Sequence, residues 1–360
     1  MAELELTFEP DYAVPPAGTL RDTLGALGLS QSDLAARTGL SLKHVNQIAQ
    51  GLAPISPETA ILLEKVTSVP AKMWTLLEAT YRAALARAAD RETLASQVDW
   101  LQQVPVAELI RRGFVDRDAD PPRRVEQLCK FFGVADHARW EQVWLAPLAS
   151  FRQSPSFASD AGAVATWLRL GELEAATIDC ALFNARRFKA ALATVRSLTL
   201  VEPEESGDAV IEECANAGVA VVFVPEIGNT RASGAARWLT PTKAVIQLSL
   251  RYKSDDHLWF SFFHEAGHLL LHSKKQTFVT IGQDTDRMEE QANAFAANHL
   301  IPKKYEPELA TLGTDDDVLE FAQRLGIAPG IVVGRLQKQE LWSWRRGNHL
   351  KRRLELVDRD

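Results

Sequence analysis

The sequence predicts a mainly α-helical protein with one small β-sheet, an α+β fold. Three observations carry this expectation. Helix-start signals crowd residues 19 to about 90, apolar residues recur at three- and four-residue spacing from about 91 to 200, and short apolar runs between turns take over at 208–250. At 360 residues the chain exceeds what one hydrophobic core usually serves. We therefore expect an all-helical domain at 1–90, a helical middle region at 91–204, a domain at 205–340 and a basic tail at 341–360.

The N-terminal region earns its helices from caps. Ser30 and Ser41 sit where N-caps belong, and Ser56-Pro57 is a cap followed by proline at the first helical position. In the middle region Val106, Leu109 and Ile110, and then Val164, Trp167 and Leu168, keep a helical period, interrupted by a turn from Asp118 to Pro122. A short helix then ends near Gly218. The run from Val219 to Val224 stops at Pro225, and Ala244 to Leu248 follows a Thr240-Pro241-Thr242 turn, which predicts strands. Helices return at Asp256–His272, Arg287–Leu300 and as a pair around Gly326, read as a closing element of the domain. The tail carries Arg345-Arg346 and Lys351-Arg352-Arg353 and is read as a solvated surface.

Composition excludes several classes. With 46% hydrophobic and 24% charged residues the chain is globular. No apolar run reaches the roughly 18 to 20 residues that cross a bilayer, and the acidic start MAELELTFEPDY is no signal peptide, so a cytoplasmic protein without membrane contact is expected. Cys129, Cys180 and Cys214 are few, odd in number and far apart, and are read as reduced core residues. A net charge of −7 excludes a globally basic coat but leaves room for a local DNA-reading surface.

Such a surface is legible at residues 30–51, which read as helix, tight turn, helix. Leu34, Ala35, Val45 and Ile48 are spaced to pack the two helices, and Gly39 sits where the turn needs positive φ. Lys43, His44 and Gln47 are the early positions able to meet base edges, while Gln31 and Ser41 can hold phosphates.

The second constellation is FFHEAGHLLLH. His264 and His268 are four apart, so one helix face presents both imidazoles to a metal. Glu265 is placed to reach a water rather than the metal, the general-base position in metal-assisted hydrolysis. A catalytic zinc needs a third protein ligand. Glu289 offers one from the next helix, with Glu290 as the competing candidate and Asn293, one turn on, as an orienting hydrogen-bond partner. His272, one turn beyond His268, is a candidate for a supporting role, as is His299 near the second helix. Arg251, Tyr252 and His257 are candidates to stabilise an oxyanion. Gly234 to Trp238 reads as an edge strand on which an extended peptide can add.

Both constellations resemble known families. HEAGHLLLH, followed by Glu289-Glu290-Gln291-Ala292-Asn293-Ala294-Phe295-Ala296-Ala297 and Pro302, makes residues of about 205 to 340 similar to the ImmA/IrrE bacterial metallopeptidases. The resemblance implies a zincin-like, gluzincin-type site with zinc on His264, His268 and Glu289 and with Glu265 as base, acting on a repressor protein. Asn298-His299 departs from the family pattern, which has an acidic residue and leucine there. The stretch from Val14 through Leu76, with Pro54-Ile55-Ser56-Pro57-Glu58-Thr59-Ala60 after the second helix, resembles the Xre/Cro-type helix-turn-helix of HigA-like antidotes. That implies a homodimer on a palindromic operator in double-stranded DNA and a cognate toxin as partner.

The expectation from both is a DNA-binding regulator or antitoxin fused to a zinc metallopeptidase, serving toxin–antitoxin, stress or phage-defence control. Two other readings stay open: a non-catalytic repressor whose metal is structural or a sensor, and a peptidase whose helical head docks protein.

Overall fold

The computed structural model describes residues 14–148, 160–228, 230–274, 277–281 and 287–355. The chain forms two compact units, divided between Val98 and Asp99. Among the described residues no helix is long and apolar enough to cross a membrane.

The first unit is all-helical: α1 (Pro16–Leu27), α2 (Gln31–Thr38), α3 (Leu42–Ala49), α4 (Pro57–Thr67) and α5 (Ala71–Ala95). Its boundaries follow from capping. Ser30 and Asp33 close a reciprocal capping box at the start of α2, and the hydroxyls of Ser41 and Ser56 accept from the backbone N–H groups of His44 and Thr59. Gly39 ends α2 at φ 75°, which a side chain would resist. Leu20, Leu34, Val45, Ile48, Leu63 and Trp74 form the core.

In the second unit α6 (Val106–Arg111), α7 (Pro121–Phe132), α8 (His137–Trp140) and α9 (Ala161–Thr177) precede α10 (Ala185–Leu198) and α11 (Pro203–Ala215). Trp100, Phe132 and Trp140 pack ring to ring, Trp100 and Trp140 with centroids 5.4 Å apart. Four strands follow: β1 (Val219–Phe223), β2 (Ala232–Thr240), β3 (Lys243–Leu248) and β4 (Phe278–Ile281), in the order β1-β3-β2-β4. β1 runs parallel to β3, and the other pairs are antiparallel. The stretch Gly234–Trp238, expected as an edge strand, lies inside the sheet: Gly234 to Ala236 pair with β3 on one side and with β4 on the other. β4, which no period in the sequence announces, takes the edge.

Strand alternation splits the sheet's two faces. Ala244, Ile246, Leu248 and Ala236 join the core formed with α12 (Asp255–Leu271), through Trp259, Phe262 and Phe263. Each such large side chain stabilises by about 1.5–3 kcal/mol. Gln247 and Arg237 point to the other face, where α9 covers them. Gln247 donates to the carbonyl of Trp167 at 2.7 Å, and Arg237, buried, pairs with Glu172 at 3.2 Å and donates to the Leu168 carbonyl. α13 (Arg287–Leu300), α14 (Glu306–Leu309), α15 (Asp315–Leu325) and α16 (Pro329–Lys338) complete the unit. Val318, Phe321, Ile331 and Val332 sink the last pair into the same core, as a closing element should. Cys129 and Cys214 are buried, as read from sequence, but Cys180 is only half-buried.

The basic tail corrects its reading as solvated surface. Arg352 donates to the carbonyls of Thr199, Leu200 and Val201 at the end of α10, and Ser254 bridges Arg353 as a strand pair. Lys351 pairs with Asp256 at 2.7 Å in a pocket that leaves the two side chains 11% and 7% exposed. The segment straps the first turn of α12, where Asp255 and Asp256 also complement the helix dipole. Removing one partner of a buried pair strands the other charge, so Lys351→Met should lower the unfolding free energy by about 3–5 kcal/mol. Pairing it with Asp256→Asn should recover most of that. A denaturant midpoint unmoved by the single change would show that the Lys351–Asp256 pair contributes nothing to stability.

Candidate metal centre and nucleic-acid interface

α12 carries His264, Glu265 and His268 on its buried side because its other apolar residues, Phe262, Phe263, Ala266 and Leu269, hold that side in the core. α13 starts at Arg287, which sets Glu289 in its first turn, a position that suits a carboxylate. Gly267 lets the two helices approach: a Cβ there would lie 3.3 Å from the Ala292 Cα and from Phe295.

Three donors converge as a result. His264 Nε2 lies 3.0 Å from Glu289 Oε2, His268 Nε2 lies 3.2 Å from Glu289 Oε1, and the two Nε2 atoms are 2.9 Å apart. Ligands of one tetrahedral zinc, at about 2.0–2.1 Å from the ion, stand roughly 3.3 Å from one another. The spacing therefore fits a single ion. Among the described residues this is the one group of three or more His, Cys, Asp or Glu side chains so arranged, and all three are buried. Glu290 is exposed and Glu289 faces the histidines.

The surroundings agree with a cation. His264 Nδ1 lies 3.0 Å from Asn293 Oδ1, an atom that only accepts, so the proton sits on Nδ1. Burial works to raise the Glu289 carboxyl, but the imidazoles of His264 and His268 beside it outweigh that and hold it at about 2, ionised. Two imidazole nitrogens and a carboxylate that face one point need positive charge between them. A shared proton satisfies part of that need, and a divalent ion satisfies all of it.

Glu265 belongs beside the group rather than in it. It is fully buried. Burial pushes its carboxyl up to about 8, against the pull of His264 and of the Thr280 hydrogen bond. Oε1 accepts from Thr280 Oγ1 at 2.6 Å, while Oε2 is buried with no partner. The sequence does not signal Thr280 of β4, and it marks Gly234 of β2 only as part of a peptide-binding strand, not as a neighbour of Glu265. An alanine Cβ at Gly234 would lie 2.5 Å from Glu265 Oε1, so the glycine makes the carboxylate's space.

Other candidates separate. His272 meets His268, Nδ1 to Nδ1, at 3.0 Å. His299 stands apart, stacked between Phe263 and Phe295 at 5.0 and 5.2 Å. Arg251 pairs with Glu226 at 3.4 Å, and Tyr252 stacks on His257 at 4.2 Å. Arg251, Tyr252 and His257 line a small cleft with Ser233 and Ser261.

On the first unit, α3 buries Val45, Ile48 and Ala49. At 100° per residue, Lys43 and Gln47 fall on the opposite side. Lys43 and Ser41 are exposed, and His44, Gln47 and Gln31 are half-buried. The Ser41 hydroxyl caps α3. Gln50, exposed at the end of the helix, extends the Lys43–Gln47 face and was passed over in sequence, although its spacing of three from Gln47 signals it.

Residues 214–337 match the family model described as Peptidase_M78, IrrE N-terminal-like domain. Residues 20–73 match HTH_3, Helix-turn-helix. Comparison with curated proteins finds no match.

The contact at Gly234 yields a test. Gly234→Ala should displace Glu265, break its bond to Thr280 and lower stability by about 1–3 kcal/mol through overpacking, while metal content stays that of the unaltered chain. Denaturation and elemental analysis check both halves. An alanine variant of unchanged stability would mean that the carboxylate has slack to move.

Proposed function

We propose that this chain, which joins a helix-turn-helix domain to an IrrE-like domain, is a DNA-binding regulator carrying a zinc metallopeptidase. The observation that carries the reading is the convergence of His264, His268 and Glu289 beside a buried glutamate with one unpartnered oxygen. When bound, zinc would polarise a peptide carbonyl and lower the pKa of water. His264, His268 and Glu289 would hold the ion. Asn293 fixes the tautomer of His264, and Glu265 Oε2 takes a proton from the attacking water and passes it to the leaving amine. Thr280 keeps the other carboxylate oxygen turned away from that work, and Phe278, stacked on His268 at 4.1 Å, shields the ring from water. A repressor protein or cognate toxin is the proposed partner of this domain.

The helix-turn-helix domain supports DNA binding. In our reading α3 enters the major groove of a palindromic operator as one half of a homodimer in the cytoplasm. Lys43, Gln47 and His44 meet bases, and Gln31 and Ser41 meet phosphates. The charge-neutral amides and one lysine on that face suit base reading better than a purely electrostatic grip. Coupling the two activities in one chain makes a switch for toxin–antitoxin, stress or phage-defence genes.

Elemental analysis of purified variants tests the metal roles. His264→Ala and Glu289→Ala should lose zinc, Glu290→Ala should keep it, and Glu265→Gln should keep it yet abolish cleavage, because the amide cannot accept the proton. Zinc at full content in every variant would sink the site. For the head, Lys43→Ala with Gln47→Ala should weaken binding to a selected duplex by about 1–3 kcal/mol per lost base contact. Specific binding that survives the double change would remove α3 as the reader.

A further inference from the structure

The hydrogen bonds around His268 do not end at His272. His272 Nε2 lies 3.1 Å from Oε1 of Gln291, a residue of α13 that stands two positions after Glu289. The path therefore runs from an exposed amide on one helix, through an imidazole at the C-cap of α12, to the imidazole of His268.

We propose that Gln291 is a positioning residue that sets the polarity of this path and so leaves His268 Nε2 bare for a metal ion. The inference rests on the zinc reading of His264, His268 and Glu289. An amide oxygen only accepts, so His272 carries its proton on Nε2 and has a lone pair on Nδ1. That lone pair accepts from His268 Nδ1–H at 3.0 Å. A neutral imidazole holds one proton, so Nε2 of His268 is the bare nitrogen, 3.2 Å from Glu289 and 2.9 Å from His264. The opposite polarity fails. Were the Gln291 NH2 to donate, His272 would donate from Nδ1, His268 would accept there, and its proton would occupy the atom that must bind the ion.

The arrangement gives α13 a triple task. Glu289 supplies an anionic ligand, Asn293 orients His264 directly, and Gln291 orients His268 through His272. The ring faces are held separately: Phe278 stacks on His268 at 4.1 Å, so packing fixes the plane and the hydrogen-bond path fixes which nitrogen is free. Groups that orient metal-binding histidines usually change affinity about 10- to 100-fold when removed.

Because Gln291 is exposed, donor and acceptor can be exchanged there without disturbing the core. The full chain, ¹⁵N-labelled at histidine and freed of metal, is examined by NMR at about pH 8, above the ordinary histidine range. His272 should show an Nε2–H tautomer in the unaltered chain and in Gln291→Glu, and an Nδ1–H tautomer in Gln291→Lys. Zinc affinity, measured by competition with a chromophoric chelator, should stay within about threefold in Gln291→Glu and fall about 10- to 100-fold in Gln291→Lys. Glu290→Lys, which places the same charge on the neighbouring exposed residue, should weaken zinc much less. An Nδ1–H tautomer of His272 in the unaltered chain would overturn the proposal, as would equal losses in Gln291→Lys and Glu290→Lys. Absence of zinc binding in every chain would instead refute the metal reading, and the tautomer measurement would still judge the polarity.

Discussion

Two helices can serve one metal only if their backbones come close, and here that approach depends on Gly267 against Ala292. A methyl group at 267 would stand 3.2 Å from the Phe295 ring and 3.3 Å from the Ala292 Cα, tighter than ordinary packing allows. From this contact follows the meeting of Glu289 with His264 and His268. The same closeness brings Asn293 and Gln291 within reach of α12. The metal group and its hydrogen-bond partners on α13 are consequences of one interhelical distance.

The sheet does a different job. Its alternation hands one face to α12 and the other to α9, so the metal helix sits on a platform braced from behind. Gln247, buried on that rear face, donates to the Trp167 carbonyl, and its side chain occupies the space that a Cβ at Gly171 would fill. Arg237 is buried there too, and burial lowers its pKa to about 10 against the pull of Glu172. Such a group is stable only while Glu172 and the Leu168 carbonyl stay in place. The helical middle region, in whose sequence no chemical motif is legible, thereby fixes the rear of the platform that carries α12.

Much of this was legible in the sequence. Caps at Ser30, Ser41 and Ser56 mark helix starts because a hydroxyl must satisfy free N–H groups there, a local requirement that survives any tertiary context. The i, i+4 spacing of His264 and His268 speaks for the same reason. What stayed hidden depends on contacts distant in sequence. β4 is four residues long and, among the described residues, pairs with β2 alone, so nothing in its own pattern marks it as the edge. Thr280 and Gly234 matter only because they touch Glu265. The tail read as solvated because three consecutive basic residues usually are, and only the fold reveals Asp256 and the end of α10 as their partners.

That tail sets an order of events. The first turn of α12 is tied down by residues 351–354, which the ribosome makes after every other described element of the second unit. The helix-turn-helix unit, with its own core at the N-terminus, contains all it needs to fold much earlier, since domains generally fold as units in order of synthesis. A nascent chain thus has a finished head while the metal helix still lacks its strap.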